Sequence, residues 1–437
     1  MTPRERLFAL EQFGIKLGLD NIQRILEALG HPEKRFPSIH VAGTNGKGSV
    51  TAMVERGLRS AGHATGRYTS PHLNDIEERI ALNGRPIAAA AFDATTADVL
   101  AMVDELHGQG TLESWPTFFE VTTAMAFMTF ARERVDAAVV EVGLGGRFDA
   151  TNTLAPAVTA ITSIAFDHER HLGSTLEAIA FEKAGIIKPD TPVVVGAMAD
   201  AARRVIVTRA AQLGAPVVAA DTDVRVSSRI EAGRVSLDLR TPVDRYDDVM
   251  LALNGRHQIA NAVVAVRTLE VCRERGLANT AADIRSALAE VAWPARVEWL
   301  ELSRGRHVLV DAAHNPAGVL ALADYVRAAG VAPLPVVMAV MKDKDVDAMV
   351  RAIAPVASAF VTTQIESPRC LPAAVLAERV AHAVREARVM SDANPESALD
   401  LALRENPRAL VAGSIFLVGP LRAKLIARGA VPTALPV

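Results

Sequence analysis

Cysteine is scarce: Cys272 and Cys370 are the only two in 437 residues, far apart and outside any CxxC spacing. That speaks against a disulfide framework and against a cysteine-held zinc site. No excess of either charge sign is present. A formal net charge of −3, with 22% of residues charged, gives no global pull toward nucleic acid or an anionic membrane. Local basic pockets for anionic ligands remain compatible with it. Long apolar runs are missing too. The start, MTPRERLFALEQFG, has no apolar stretch behind its charges and does not read as a secretory signal. The run Ala124 to Phe130 is too short to span a bilayer and ends in Ala131-Arg132-Glu133-Arg134. Internal repeats and low-complexity segments are not visible. The expectation is a soluble, cytoplasmic protein without nucleic-acid or membrane partners.

What is present is apolar residues, half of the chain, enough for a large core, and a length that suits two domains. Ser38 to Ala42 (SIHVA) reads as a buried strand, followed by a glycine-rich turn and a helix from Gly48 to Ala61. Strand-like runs recur at Ala137 to Val142, Ala157 to Ile164, Pro192 to Val195 and Pro216 to Ala219. Helical patterns at Thr117 to Arg134, Leu176 to Ala184 and Ala199 to Leu213 lie among them. The alternation predicts an α/β fold with a mostly parallel sheet covered on both faces. Val224 to Leu253 alternates in short runs and predicts a few antiparallel strands attached to the main sheet. A helix from Gln258 to Arg273 follows. A second α/β series begins near Arg296, with strands at Val297 to Leu302, His307 to Val310, Val336 to Val340, Ala359 to Thr363 and Ala409 to Ala412. Trp293-Pro294-Ala295 is the candidate hinge, because proline breaks a helix. The expected domains are 1–295 and 296–437.

The sharpest local feature is Gly43-Thr44-Asn45-Gly46-Lys47-Gly48-Ser49, between a strand and a helix. Glycines let successive N–H groups turn toward a phosphate, and the helix N-terminus adds positive potential. Lys47 suits the β- and γ-phosphates and Ser49 suits Mg²⁺. The loop departs from GxxxxGK[ST]: it is shorter on its N-terminal side, and Gly48 separates Lys47 from Ser49. Glu141 ends the strand AAVVEV ahead of Gly143-Leu144-Gly145-Gly146-Arg147-Phe148-Asp149. A carboxylate at the C-terminal end of a parallel strand faces the crevice where such sheets bind ligands. Alone, it would read as a salt-bridged strand end; beside a second glycine-rich loop it reads as a Mg²⁺ ligand. The run ITSIAFDH reads as another strand, ending in Asp167-His168, whose imidazole can ligate a metal and whose carboxylate can orient it. Lys183 and Lys188 follow, and either could approach the crevice or remain a solvated helix-end cation.

Together these residues resemble the folylpolyglutamate synthase/dihydrofolate synthase family and, more distantly, the Mur ligases. The carrying segments are HVAGTNGKGSV (40–50), TSPHL (69–73), ERI (78–80), EVGLGGRFDATN (141–152), TSIAFDHERHLGSTLEAIAFEKAGIIK (162–188), LNGRHQIANA (253–262), WPARVE (293–298) and DAAHNP (311–316). They occur in family order across nearly the whole chain. The resemblance implies an N-terminal P-loop ATPase domain and a smaller C-terminal Rossmann-like domain, with ATP and substrates between them. It places the phosphates on Gly43 to Ser49, and assigns two Mg²⁺ ions to Ser70, Glu141 and His168, with Ser49 near the triphosphate. It selects Lys183 as the lysine that carries a CO₂-derived carbamate and leaves room for a monovalent cation. Asn254, His257 and Gln258 are implied near the adenine and ATP, Arg296 at the phosphates, Asp311 at the ribose and His314 at the amino-acid end of the cleft. The implied activity is ATP-dependent addition of L-glutamate to dihydropteroate and reduced folates through an acyl phosphate, by a monomer.

Two positions depart from the family pattern: Ala295 replaces the glycine usual before the arginine, and Ala312 the glycine usual in DGAHNP. Both bear on loop geometry rather than chemistry. The alternatives are a Mur-type ligase of cell-wall precursors and a nucleotide-binding switch protein. The first usually carries an additional N-terminal domain, for which a phosphate loop at Gly43 leaves little room. The second needs neither an Asp-His pair nor a ribose-binding second domain.

Overall fold

In the computed structural model, residues 1–14, 16, 18–231 and 233–433 are described. The N-terminal part is built on eight strands: β1 (Ser38–Ala42), β2 (Thr65–Tyr68), β3 (Ile80–Leu82), β4 (Arg85–Pro86), β5 (Ala137–Glu141), β6 (Val158–Ile161), β7 (Val193–Val195) and β8 (Val217–Ala219). Their spatial order is β4-β3-β2-β5-β1-β6-β7-β8. Pairing is parallel from β2 to β8, and β3 and β4 run antiparallel at one edge. Alternate residues of β5 serve opposite cores, as the period of two in a strand requires. Ala137 and Val139 pack with the helices Lys47–Ser60 and His257–Glu274, and Ala138 and Val140 pack with the helix Phe118–Arg132.

The antiparallel strands β9 (Arg225–Glu231), β10 (Arg234–Arg240) and β11 (Arg245–Met250) form a sheet of their own, not an extension of the main one as the sequence suggested. Val235, Leu237 and Leu239 give β10 one apolar face, and that face is covered by the helix His257–Glu274 instead of being continued by a ladder. A buried carboxylate fixes the contact: Glu270 accepts hydrogen bonds from Thr241 Oγ1 at 2.6 Å and Tyr246 O–H at 2.9 Å, and is ion-paired with Arg267. An unpaired carboxylate there would be costly, so this polar set pins the sheet to one place on the helix.

The second α/β unit holds β12 (Glu298–Leu302), β13 (Arg306–Val310), β14 (Leu334–Met338), β15 (Ala357–Thr362), β16 (Val389–Ser391), β17 (Arg408–Ala412) and β18 (Val431–Thr433). The order is β16-β15-β14-β17-β13-β12-β18, parallel from β16 to β13, with β12 and β18 antiparallel. The fold is thus a two-domain α/β architecture with mostly parallel sheets and a small antiparallel section. Among the described residues no helix is long and apolar enough to cross a membrane.

The two domains touch away from the hinge as well. The helix Ile415–Ala427 lies so close to the loop after β2 that a Cβ on Gly419 would fall 1.6 Å from the Leu73 carbonyl oxygen. Neither backbone can yield cheaply. Gly419→Ala is therefore expected to destabilise the protein by about 1–3 kcal/mol, the usual cost of overpacking, seen as a lower midpoint in denaturant. An unchanged midpoint would mean that the contact is not maintained in solution.

Candidate active site

The phosphate loop is strapped to the segment after β6. Thr44 N–H donates to Ser163 O at 2.7 Å and Asn45 N–H to Ser163 Oγ at 3.2 Å. In return, Thr162 Oγ1 donates to Asn45 O at 2.7 Å. Beyond the last ladder bond, from Thr162 N–H to Ala42 O, Ser163 and Ala165 bond to the loop, which is why β6 ends at Ile161 and not at Asp167-His168 as the apolar run suggested. Gly46 sits at φ 86° as the N-cap of the helix Lys47–Ser60, and a Cβ there would lie 2.1 Å from Asn261 Oδ1. With no side-chain cap, the first N–H groups of this helix stay available to an anion. Ser49 is buried in the first turn.

Side chains from the end of β5, the start of the helix Lys47–Ser60, the segment after β6 and the helix Leu176–Ala184 gather around the loop. Glu141, at the end of β5, is 7% exposed, and its Oε1 lies 4.0 Å from Lys47 Nζ. Its Oε2 accepts only a long 3.4 Å hydrogen bond from Ser70 N–H. Burial raises the Glu141 pKa, opposed by Lys47 and then Arg296. Lys183, 5% exposed, donates from Nζ to Gly43 O at 2.9 Å. Burial, followed by the nearby Lys47 charge, lowers its pKa to about 7. His168 caps a short helix at φ 51°, and burial lowers its pKa to about 4 against the pull of Asp167. Lys47 is thus near enough for its charge to act on Glu141, Lys183 and His168 alike. Lys188 does not join them: its Nζ donates to Asn152 O at 2.9 Å, away from the loop.

Among the described residues no three His, Cys, Asp or Glu side chains are grouped to cage a metal alone. Mg²⁺ takes one or two protein carboxylates and fills its shell with phosphates and water. The weakly satisfied, buried Glu141 carboxylate beside Ser70 fits such a cation.

The C-terminal domain closes the cleft over Asp167. Lys344 Nζ donates to its Oδ1 at 2.5 Å, Asn315 Nδ2 donates to its Oδ2 at 3.1 Å, and His314 Nε2 lies 3.8 Å away. Burial raises the Asp167 pKa, but His168, Lys344 and His314 outweigh it and hold the group well below the usual carboxylate range. Asn315 also donates to Asn45 Oδ1 at 3.0 Å, so it touches the phosphate loop. His314 Nδ1–H donates to Ala312 O at 2.8 Å, which leaves Nε2 as the ring's acceptor.

At the hinge, Asn254 Nδ2 donates to Val297 O at 3.1 Å. Asp311 accepts from Val297 N–H and Ala313 N–H, both at 2.7 Å. These contacts brace the hinge. Arg296 is half-buried and folds back onto Ala295 O at 2.9 Å. Gln258 binds Asn261 Nδ2 at 2.9 Å and sits beside His257, whose buried Nδ1 has no partner.

Residues 41–269 match the Mur ligase middle domain, and residues 295–415 match the Mur ligase, glutamate ligase domain. The chain is 38% identical to the dihydrofolate synthase/folylpolyglutamate synthase of Mycobacterium tuberculosis, over 88% of this chain and 82% of that protein. Identity to the Bacillus subtilis protein of the same name is 34%, covering 95% and 96%. The chain belongs to the dihydrofolate synthase/folylpolyglutamate synthase family. It is an ATP-dependent acid–amino-acid ligase. Among solved structures, Mycobacterium tuberculosis folylpolyglutamate synthase complexed with ADP superposes with a TM-score of 0.90 at 35% identity, covering 99% of each chain. Escherichia coli FolC in complex with DHPP and ADP gives 0.86 at 28% identity, covering 98% of each.

Within this ligase fold, sequence reasoning missed Asn261, Asn315 and Lys344. Asn261 lies one helical turn from His257, on the face turned to Gly46, and that spacing was a usable signal. Lys344 lies well past the end of β14 at Met338, with Lys342 nearer the strand, so no local signal singles it out.

The buried Lys183 amine gives a test with a definite sign. Its folded-state value of about 7 lies below the ordinary 10.5. Between those values the unfolded chain binds more protons, so this residue's contribution to stability grows as pH rises, by at most roughly 1.4 kcal/mol per pH unit. The unfolding free energy of the native protein minus that of Lys183→Met, measured with urea in carbonate-free buffer, should increase from about pH 7 to about pH 9. A gap independent of pH contradicts the buried amine.

Proposed function

We propose that the chain adds L-glutamate to dihydropteroate and to reduced folates, as a cytoplasmic monomer, by way of an acyl phosphate. The reading is carried by the glycine-rich loop itself: Lys47 lies 4.0 Å from the buried Glu141 carboxylate, Lys183 bonds Gly43 O, and Asn315 of the second domain bonds Asn45. The division into 1–295 and 296–437 underlies that last contact.

A carboxylate is a poor electrophile. Its oxygen attacks the terminal phosphorus of ATP, the bond to the β-phosphate oxygen breaks, and ADP leaves. Such a transfer is mostly a matter of positioning and charge stabilisation. The loop N–H groups and Lys47 hold the phosphates, and Arg296, freed from Ala295 O, reaches the transferring group. Asn254, His257 and Gln258 line the adenine end, and Asp311 holds the hinge turn beside the ribose. Ser70, Glu141 and His168 would hold Mg²⁺, with Ser49 at the triphosphate and a carbamate on Lys183 beside it. When bound, the metal offsets charge on the phosphate oxygens. A lysine whose amine is neutral near pH 7 is suited to take up CO₂, and the product is an anion where an ammonium would repel a cation.

The amine of glutamate then attacks the acyl carbon, and the tetrahedral intermediate collapses with loss of phosphate. The amine must first lose a proton. Nε2 of His314, left as an acceptor by the Ala312 hydrogen bond, would take it in this reading. The Asp167 contacts with Asn315 and Lys344 keep water from the acyl phosphate by holding the domains together.

Incubation with ATP, Mg²⁺, glutamate and either dihydropteroate or tetrahydrofolate should yield products one glutamate heavier by mass. No mass gain with either acceptor would sink the proposal. Lys47→Ala and Glu141→Ala should each cut this activity by roughly 10²–10³-fold or more while the protein stays folded; near-normal turnover in either removes the role given to it. Lys183 should carry a carbamate visible by mass or electron density, and Lys183→Ala should lose activity that short carboxylic acids partly restore. Full activity of unmodified Lys183 protein would defeat the carbamate.

A further inference from the structure

Arg296 is flanked by two residues in the left-handed region, Ala295 at φ 56° and Val297 at φ 51°. Neither is glycine, and for β-branched Val297 the conformation is a true outlier. Such a turn persists only if its surroundings over-determine it, and here every peptide group of it is gripped. Ala295 O accepts from Ala312 N–H at 3.0 Å, Val297 N–H donates to Asp311, and Val297 O accepts from Asn254. The remaining grip is Ala295 N–H, which donates to Glu298 Oε2 at 2.8 Å.

Glu298 does not hold that position alone. Arg422, from the helix Ile415–Ala427, forks onto it: Nε to Oε2 and Nη2 to Oε1, each at 2.7 Å. Both side chains are largely buried, at 16% and 19% exposed. A two-pronged guanidinium–carboxylate pair fixes the carboxylate plane, which a single point charge would not. Arg422 lies three residues beyond Gly419, where the same helix abuts Leu73 in the loop that carries Ser70. A continuous line of contacts therefore runs from the domain interface, through Arg422 and Glu298, to the turn that presents Arg296.

We propose that Glu298 and Arg422 are positioning residues for Arg296: their fork holds the left-handed turn at Ala295 and so keeps the Arg296 backbone where its guanidinium, once released from Ala295 O, reaches the phosphate cleft. This rests on the phosphate-directed role of Arg296 given above. Ala295 makes the fork more necessary here than glycine would, because the turn must be held against its own strain. Ala312, the other departure from the family pattern, sits at no positive φ and adds no such demand.

The test is a double-mutant cycle on glutamate addition. Arg422→Ala should lower kcat roughly tenfold to a hundredfold, with the KM for glutamate little changed and cooperative unfolding retained. Arg422→Lys should restore only a small part, since it returns the charge without the fork. In the Arg296→Ala background, Arg422→Ala should cost nothing further. Adding Ala295→Gly to Arg422→Ala should recover part of kcat by relieving the turn, which no general loss of helix packing would predict. Additive losses, an unaffected Arg422→Ala enzyme, or no recovery with glycine at 295 would each overturn the positioning pair. Full activity of Arg296→Ala would instead overturn the role of Arg296 itself, a separate result from failure of the pair.

Discussion

A carboxylate whose side chain is 8% exposed must find partners, and Asp167 finds them on both domains. His168 belongs to its own loop, whereas Lys344, Asn315 and His314 come from the C-terminal domain. Desolvating such a group is expensive, and losing one partner of a buried pair leaves the other uncompensated. The ion pair is therefore weak as a source of net stability and strong as a constraint on geometry. It specifies the arrangement in which the phosphate loop, through Asn45 and Asn315, faces the strand ends of the second sheet. The proposed chemistry depends on that arrangement, because it assigns phosphate binding to the loop and draws the hinge arginine's neighbours and His314 from the second domain.

The pocket beneath the loop follows the same physics. Glu141 and Lys183 are buried beside Lys47, and burial disfavours the charged form of each. A raised carboxylic acid and a lowered amine on either side of one lysine mark a candidate functional site. By contrast, the buried Glu270 with Arg267, Tyr246 and Thr241 is fully paired and serves to fix a sheet on a helix. Under-satisfied buried charge and saturated buried charge thus separate the working site from the scaffold within one chain.

Much of this was legible in the sequence, for local reasons. Five buried residues of β1 followed by Gly43 to Ser49 and a helix are a signal contained within a single strand–turn–helix unit. The strands β5 and β6 and the helix Leu176–Ala184 show in the same way, through apolar runs and a threonine cap. The edge strands β3 and β4 were not visible: Ile80–Leu82 stands between charged and turn residues, and Arg85–Pro86 carries no strand pattern. The end of β6 was overextended because Thr162 to Ala165 look like strand, whereas Ser163 and Ala165 bond to the phosphate loop. Choosing Lys183 over Lys188 needed the resemblance; five residues apart on one segment, they differ in which backbone carbonyl the fold brings to each. Asn315 and Lys344 were missed because their meaning lies in Asp167, far away in sequence. The alanine at 295 could be flagged from the family pattern, but its left-handed conformation and the fork that holds it required coordinates.

The passage of oxygen offers the most direct view of whether phosphate and acid acceptor meet in this cleft. If dihydropteroate is labelled with ¹⁸O in its carboxylate and turned over with ATP, Mg²⁺ and glutamate, the phosphate released should carry one labelled oxygen for every amide bond formed. Phosphate free of label, alongside normal product, would mean that the acid is never phosphorylated and that the cleft does not join the two substrates as described.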